Sequence, residues 1–440
     1  MEPSFPSLAL PEELGQRLLE AARSAHGQHP GDPMPAADRP PDAAERLLGL
    51  AMIWAEARFG FAYWDLRPDL DWNAVFLRYA PRVMAAADEA EHWRLLREVV
   101  RLLGDGHTDL VPPERVRAGG SAEPGLRLEA VEGAPTITQA TQEAMEAGFR
   151  PGVRITSVDG VPAARAVEAA AAAISASTEH YRTWAATRKL LSGAHGTDAH
   201  LEGRYPDGRP VEGRLVRRSG AAYPWQRITP VVSREVSPGI LHIELNTFGW
   251  DGVPGRLREL VPDFVGVRAL ILDLRRNSGG NSGIGYAVLQ RLLAAPAATS
   301  AFRLRAYVPT FRAWGWPQFW LQVPGELLSP DGDGTGFGGP AVVLVGPETA
   351  SAAEDFLVAW KSAARGPLVG GATCGSTGQP LPITLPGGGR LRVCSKRDTY
   401  PDGTPFVGTG ILPDIPAART WRGVAAGRDE VLEAALTAIP

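Results

Sequence analysis

Cysteine is nearly absent from this chain of 440 residues, which has only Cys374 and Cys394. Neither stands at a metal-ligand spacing, which excludes a zinc-finger pattern and a dense disulfide scaffold. No cofactor is expected. The two cysteines lie 20 positions apart and could sit on neighbouring strands. One disulfide and two reduced, partly buried thiols are therefore the alternatives. Long apolar runs are missing as well, so no membrane span is expected. The N-terminus, MEPSFPSLALPEEL, lacks a basic region followed by an apolar one. As written the chain reads as cytoplasmic, and a periplasmic or secreted chain trimmed of its leader would look the same. Charge of one sign is also lacking. With 45 basic and 49 acidic residues the net charge is -4, which gives no reason to expect nucleic acid or an anionic membrane as partner. No internal repeat or long low-complexity tract occurs.

What is present is apolar bulk and turn chemistry. Hydrophobic residues make up 44% and charged residues 21%, with 50 Gly and 39 Pro, as in a folded chain with a sizeable core and many loops. The length suits two to four domains. Residues 1–43 read as a flexible arm rich in Pro, Gly and Asp with one short helical stretch, Pro11 to Ala25. Residues 44–118 read as a helical subdomain. Its apolar stripes run through Leu47, Leu48, Ala51, Met52, Ala55 and Phe59, then Trp72, Val75, Phe76 and Tyr79, then Trp93, Leu95, Leu96, Val99, Val100 and Leu103. Residues 119–222 show short strands, two turns (Asp159-Gly160-Val161-Pro162 and Pro206-Asp207-Gly208-Arg209) and an Ala-rich helix, as in a small domain of strands and few helices.

Residues 223–440 alternate strands and helices, which predicts a mostly parallel sheet covered by helices. Its strands are read at Ile240 to Leu245, Ala269 to Leu274, Phe302 to Val308, Ala341 to Val345, Leu368 to Gly370, Leu381 to Thr384 and Leu391 to Cys394. The aromatic-rich Ala313 to Gln322 is either core packing or a substrate-facing lid.

One turn in this region carries chemistry. Ala341 to Val345 is an unbroken apolar run, Gly346-Pro347 ends it, and Ser351 opens a run of helix formers from Ala352 to Lys361. A serine there has its hydroxyl at the positive end of a helix, beside backbone N–H groups with no intrahelical acceptor. A nucleophile beside donors for a developing oxyanion is what acyl transfer requires. The competing reading is a capping box, Ser351-Ala-Ala-Glu354. Ligand sites in parallel sheets lie beyond the carboxyl ends of the strands, where Ser351 and Arg275-Arg276-Asn277-Ser278-Gly279-Gly280 would both fall.

Three stretches in order, LILDLRRNSGGNSG, VVLVGPETASAAEDF and VGTGILPDI, resemble the tail-specific or C-terminal-processing serine peptidases. That clan includes the tricorn core protease and the retinoid-binding modules of the interphotoreceptor matrix. The resemblance covers roughly residues 45–416 and implies an α/β core with a crotonase/Clp-protease-like sheet. Ala147 to Ala163, AGFRPGVRITSVDGVPA, resembles the carboxylate loop of a PDZ domain, so residues 119–222 are expected to be PDZ-like and to engage peptide C-termini. LLGDGHTDL resembles the histidine segment of the tricorn-like branch. WAEARFGFAYWD and DWNAVFLRYAPRV resemble that branch's N-terminal helical subdomain.

The resemblance implies Ser351 as nucleophile, with oxyanion donors at the N–H of Ala352 and of Gly279 or Gly280. A Gly-Gly pair suits close backbone approach, although an ordinary strand-to-helix turn would also use it. The lysine base of the processing peptidases is missing. Ser376 stands at its position within Thr373-Cys374-Gly375-Ser376-Thr377-Gly378, and Lys361 lies inside the predicted helix. His107, in a Gly-containing turn, matches the tricorn-like histidine and is the expected base. Two further positions depart from that branch: Gly106 replaces a serine, and Val407 replaces a glutamate. The group that orients His107 is left among Asp402, Asp398, Asp105 and Ser376.

The expected function is a serine endopeptidase acting on peptide or protein substrates, with a homo-oligomer as a candidate assembly. The alternatives are a non-catalytic peptide- or lipid-binding relative of the same fold and acyl transfer other than proteolysis.

Overall fold

The computed structural model describes residues 7–9, 39–117, 122–219, 223–260, 264–316, 319–332 and 336–439. The helical stretch read at Pro11 to Ala25, and most of the arm, lie outside the described residues. The chain divides into two compact units. One comprises Met1–Ala118, Thr299–Glu326 and Ser376–Gly408; the other comprises Gly119–Ala298, Leu327–Gly375 and Thr409–Pro440.

The first unit begins with helices Ala43–Gly60, Trp72–Met84 and Glu89–Arg101, one over each apolar stripe. Each starts at an aspartate, Asp42, Asp71 or Asp88, whose side chain accepts early backbone N–H groups, the role that short acceptor side chains take at helix starts. Trp93, Leu95, Leu96, Val99, Val100 and Leu103 are all buried at 1% exposure or less, as the third stripe predicts. The first helix instead buries Leu50, Ile53 and Ala57 rather than the stripe read through Leu47, Leu48, Ala51, Met52, Ala55 and Phe59. None of that stripe is buried, and Leu48 is 44% exposed. Two small sheets complete the unit. Pro380–Thr384, Arg390–Cys394 and Asp109–Val111 form one. Ser7–Ala9, Phe319–Val323, Ala301–Ala306 and Lys396–Thr399 form the other.

This corrects the expectation that Phe302 to Val308, Leu381 to Thr384 and Leu391 to Cys394 would extend the α/β sheet. The reason lies in their pattern. In Arg390–Cys394 the arginines Arg390 and Arg392 are exposed while Leu391 and Val393 are buried. Such alternation belongs to an antiparallel sheet with one wet face, not to a parallel sheet covered on both.

In the second unit, Leu126–Val131, Ala134–Ala140, Arg154–Val158, Asp198–Arg204 and Pro210–Val216 form an antiparallel sheet in that order. Leu128, Ile137, Phe149, Val153, Ile155 and Leu201 fill its core. Asp159 and Gly160 both have positive φ, 51° and 77°, the conformation a two-residue hairpin turn demands.

The α/β part of this unit has a six-stranded sheet. Its central strands are β1 (Ile240–Leu245), β2 (Ala269–Asp273), β3 (Ala341–Val345) and β4 (Leu368–Gly370), all parallel. Val231–Ser237 pairs antiparallel with β1 at one edge, and Ile415–Pro416 pairs with β4 at the other. Every residue of β2 and β3 is buried, as unbroken apolar runs require in a sheet with helices on both faces. Helix α1 (Ser282–Gln290) follows β2 and helix α2 (Ala352–Ser362) follows β3. The first nine residues of α2 are buried. At the end of β2, Asp273 and Asp429 both bond the Arg275 guanidinium. Among the described residues no helix is long and apolar enough to cross a membrane.

Candidate active site

The end of β3 and the start of α2 meet at Ser351, whose backbone lies at φ 57° and ψ -126°. An N-cap residue ordinarily sits in the β region. Positive φ costs a non-glycine residue on the order of 1–3 kcal/mol and persists only where surrounding bonds enforce it. Those bonds are present. Thr349 Oγ1 donates to the Leu274 carbonyl at 2.9 Å, and Ala350 N–H donates to the Asn277 carbonyl at 3.1 Å. Glu354 Oε2 accepts the Ser351 N–H at 3.3 Å, the glutamate half of the capping box read in the sequence. A sharp strand-to-helix turn of this kind presents a serine hydroxyl at a helix N-terminus.

Glu354 itself is fully buried. Its Oε1 also accepts the Thr373 hydroxyl at 2.5 Å and the Gly375 N–H at 2.8 Å. One carboxylate thus holds Ser351 and the 373–375 loop together. That loop has two more supports: Thr178 Oγ1 donates to the Cys374 carbonyl at 2.8 Å, and His180 Nε2 lies 2.6 Å from the Thr373 carbonyl.

The glycine pair runs alongside the serine. Gly279 has φ 101°, and a Cβ there would lie 2.6 Å from the Ser351 Cβ. Gly280 has φ 138°, and a Cβ there would lie 2.2 Å from the Phe248 carbonyl carbon. Only glycine fits either position. The two amides differ in availability. Gly279 N–H donates to Asn277 Oδ1 at 2.9 Å. The N–H groups of Gly280 and Ala352 have no acceptor among the described residues.

Asn277 is fully buried, and its Nδ2 donates to the Leu245 carbonyl at 2.9 Å. Sequence reasoning passed over both Asn277 and the wider role of Glu354. An Asn ahead of Ser-Gly-Gly is a turn signal that could have found the first.

Electrostatics beside the turn are set by burial. Burial raises the Glu348 carboxyl above its ordinary value, with Arg127 opposing the rise. The two form an ion pair at 3.5 Å.

In the first unit, His107 Nδ1 lies 2.6 Å from the hydroxyl of Ser376, which is buried at 1% exposure. Of the four sequence candidates for orienting His107, Ser376 is therefore at hydrogen-bond distance from the ring. Asp105 is buried and accepts the Thr108 hydroxyl at 2.7 Å. Asp398 accepts the Thr377 hydroxyl at 2.9 Å and pairs with Lys396 at 2.9 Å. Asp402 is exposed and accepts the Thr404 N–H at 2.9 Å, the turn role that an Asp-Gly pair also suggests. Lys361 pairs with Asp414 at 2.8 Å. Cys374 and Cys394 are both buried and form no disulfide, and burial pushes the Cys394 thiol well above its ordinary value. No group of three or more His, Cys, Asp or Glu among the described residues could hold a metal ion.

Comparison with known proteins agrees with this architecture. Residues 239–417 match the family model described as Peptidase family S41. Among solved structures, mature CPAF complexed with lactacystin is 15% identical over 90% of this chain and 97% of its own, with a TM-score of 0.71. The photosystem II D1 C-terminal processing protease is 22% identical over 85% and 93%, with a TM-score of 0.51. A putative peptidase from Parabacteroides merdae is 18% identical over 90% and 96%, with a TM-score of 0.54. At these identities the likeness is one of fold. No curated protein matches the sequence.

Proposed function

We propose that this protein is a serine endopeptidase in which Ser351 is the nucleophile and His107 the general base. The observation that carries the reading is the backbone of Ser351. A buried network holds it at φ 57° between β3 and α2, with the amides of Gly280 and Ala352 not engaged elsewhere among the described residues. Ser351 Oγ would attack the scissile carbonyl as His107 Nε2 takes its proton. The oxyanion would be received by the N–H of Gly280 and of Ala352. Of the two glycines left open by the sequence, Gly280 is preferred, because Asn277 already accepts the Gly279 N–H. His107 would then return the proton to the leaving amine.

With Nδ1–H donated to Ser376 Oγ, the tautomer would carry its lone pair on Nε2, the nitrogen that acts as base in this reading. The reading requires that Nε2 reach Ser351 Oγ in the working enzyme. Ser376, where processing peptidases carry lysine, thus takes an orienting role. The antiparallel sheet of residues 126–216 is proposed to be PDZ-like and to engage peptide C-termini, on the resemblance of Ala147 to Ala163 to a PDZ carboxylate loop.

Digestion of an unfolded protein substrate tests the reading. Wild type should cleave it internally, and Ser351→Ala, with an unchanged melting temperature, should not. Cleavage by Ser351→Ala at the wild-type rate contradicts the proposal. A folded wild type that cleaves nothing yet binds peptides would favour the non-catalytic relative.

A further inference from the structure

The first unit contains a cavity of about 540 Å³ lined by neither His107 nor Ser376. This is within the range of roughly 300–1,000 Å³ typical of small-ligand pockets. Much of its wall is aromatic. Trp64 and Trp72 meet edge to face at 5.7 Å between centroids. Their indole N–H groups donate to the carbonyls of Ala57 and Trp54, each at 3.0 Å. The polar atom of each ring is thus engaged, and ring carbon is left for a ligand. Phe59 lies 4.4 Å from Tyr307, and Phe311 4.8 Å from Trp316. Trp316 is 55% exposed at the wall.

The charged groups in this wall are Arg58, Arg305 and Arg312, against a single acid, Asp71. Asp71 Oδ1 caps the helix that begins at Trp72, accepting two backbone N–H groups at 3.0 Å. Arg58 donates to Asn73 Oδ1 at 3.1 Å, and Arg312 to the Tyr307 hydroxyl at 3.4 Å. Arg305 donates to the carbonyls of Arg58 and Phe61 at 3.2 and 3.1 Å. The acceptors of Arg58 and Arg312 are neutral, so these bonds orient the two guanidinium groups without cancelling their charge. Burial lowers the Arg305 pKa, so an arriving anion would offset part of its desolvation. Three cations against one carboxylate favour an anion over a cation or a neutral ligand, and guanidinium groups pair with carboxylates in a two-pronged fit.

We propose that this cavity binds an apolar carboxylate, its hydrocarbon or aromatic body among the rings and its carboxylate at Arg58 and Arg312. The site is separate from the peptidase chemistry and does not rest on it. Two sources share this chemistry: a free fatty acid, and the C-terminal residue of a peptide with a large apolar side chain.

Calorimetric titration of the full chain tests the proposal with two matched pairs. One is decanoate, below its micelle concentration, against decan-1-ol; the other is N-acetyl-Ala-Phe as free acid against its amide. At least one acid should bind saturably, one per chain, about tenfold or more tighter than its uncharged partner, as a hydrogen bond to a charged group implies. That preference should disappear in the R58Q/R312Q double variant and weaken in Arg312→Gln alone. Arg312 is exposed, so the single variant reports even if the double variant folds poorly. Preference for decanoate identifies the lipid source, and preference for the dipeptide acid identifies a peptide terminus. The proposal is overturned if no acid binds saturably, if acids bind no tighter than their partners, or if the preference survives substitution in a folded variant. Labelling of the serine site is a separate readout and does not enter this outcome.

Discussion

Glu354 accepts the backbone N–H of Ser351 at 3.3 Å while its other oxygen holds the Thr373 hydroxyl and the Gly375 N–H. A fully buried carboxylate thus fixes the serine and a loop about twenty positions further along the chain. Glu354→Gln keeps the shape but removes the charge and one acceptor oxygen. Each buried donor left without an acceptor costs about 1–3 kcal/mol. A misplacement of the serine by about 1 Å can cost about a hundredfold in rate. We therefore expect Glu354→Gln to slow acylation far more than it lowers the folded fraction, as read from labelling rate and melting temperature together. Equal effects on both would reduce Glu354 to a stability residue.

The glycine pair gives a second expectation. In Gly279→Ala the new Cβ would press on the Ser351 Cβ at 2.6 Å, at a backbone angle that costs alanine about 1–3 kcal/mol. Activity should fall about a hundredfold or more, on the same geometric argument. Gly255→Ala, a change with open space around it, should leave activity intact. Steady-state proteolysis of the two variants checks this.

Ser376 provides a graded test of the orienting bond to His107. Ser376→Ala removes one neutral hydrogen bond of about 0.5–1.5 kcal/mol, so the rate should drop up to about tenfold, whereas His107→Ala should abolish it. Ser376→Thr, which keeps a hydroxyl, should restore most of the activity. If Ser376→Ala matched the wild type, another group would orient the ring.

His92 gives a stability expectation that depends on pH. Burial, with a smaller effect of Arg46, lowers its pKa to about 4, against an unfolded value near 6.5. The depressed value means that the unfolded chain binds the proton more readily. The contribution of the neutral imidazole is therefore complete above about pH 6.5 and is lost as pH falls toward about 4, a total of about 3 kcal/mol. His92→Leu should flatten the melting-temperature profile over this interval.

Legibility from the sequence followed the range of the interactions involved. Ala341 to Val345 and the helix from Ala352 were readable because an unbroken apolar run and its turn residues are local signals. The antiparallel sheet of Arg390–Cys394 was not assigned correctly. Its alternation was visible, but its partner Asp109–Val111 lies far back in the chain. The site divides in the same way. Ser351 and the Gly279-Gly280 pair could be singled out from motif and turn chemistry. The φ of Ser351, the grip of Glu354 on Thr373 and the occupation of the Gly279 amide arise from packing that no local pattern encodes. His107 and Ser376 are 269 positions apart, and residue types alone left Ser376 one of four candidates.

The central claim is that Ser351 is an activated nucleophile dependent on His107. Labelling of the purified protein with a fluorophosphonate probe addresses it most directly, comparing wild type, Ser351→Ala and His107→Ala at matched folded fraction. The account predicts stoichiometric labelling of the wild type at Ser351 and none in either variant. Labelling that persists in His107→Ala at the wild-type rate, or a folded wild type that takes no label, would contradict it.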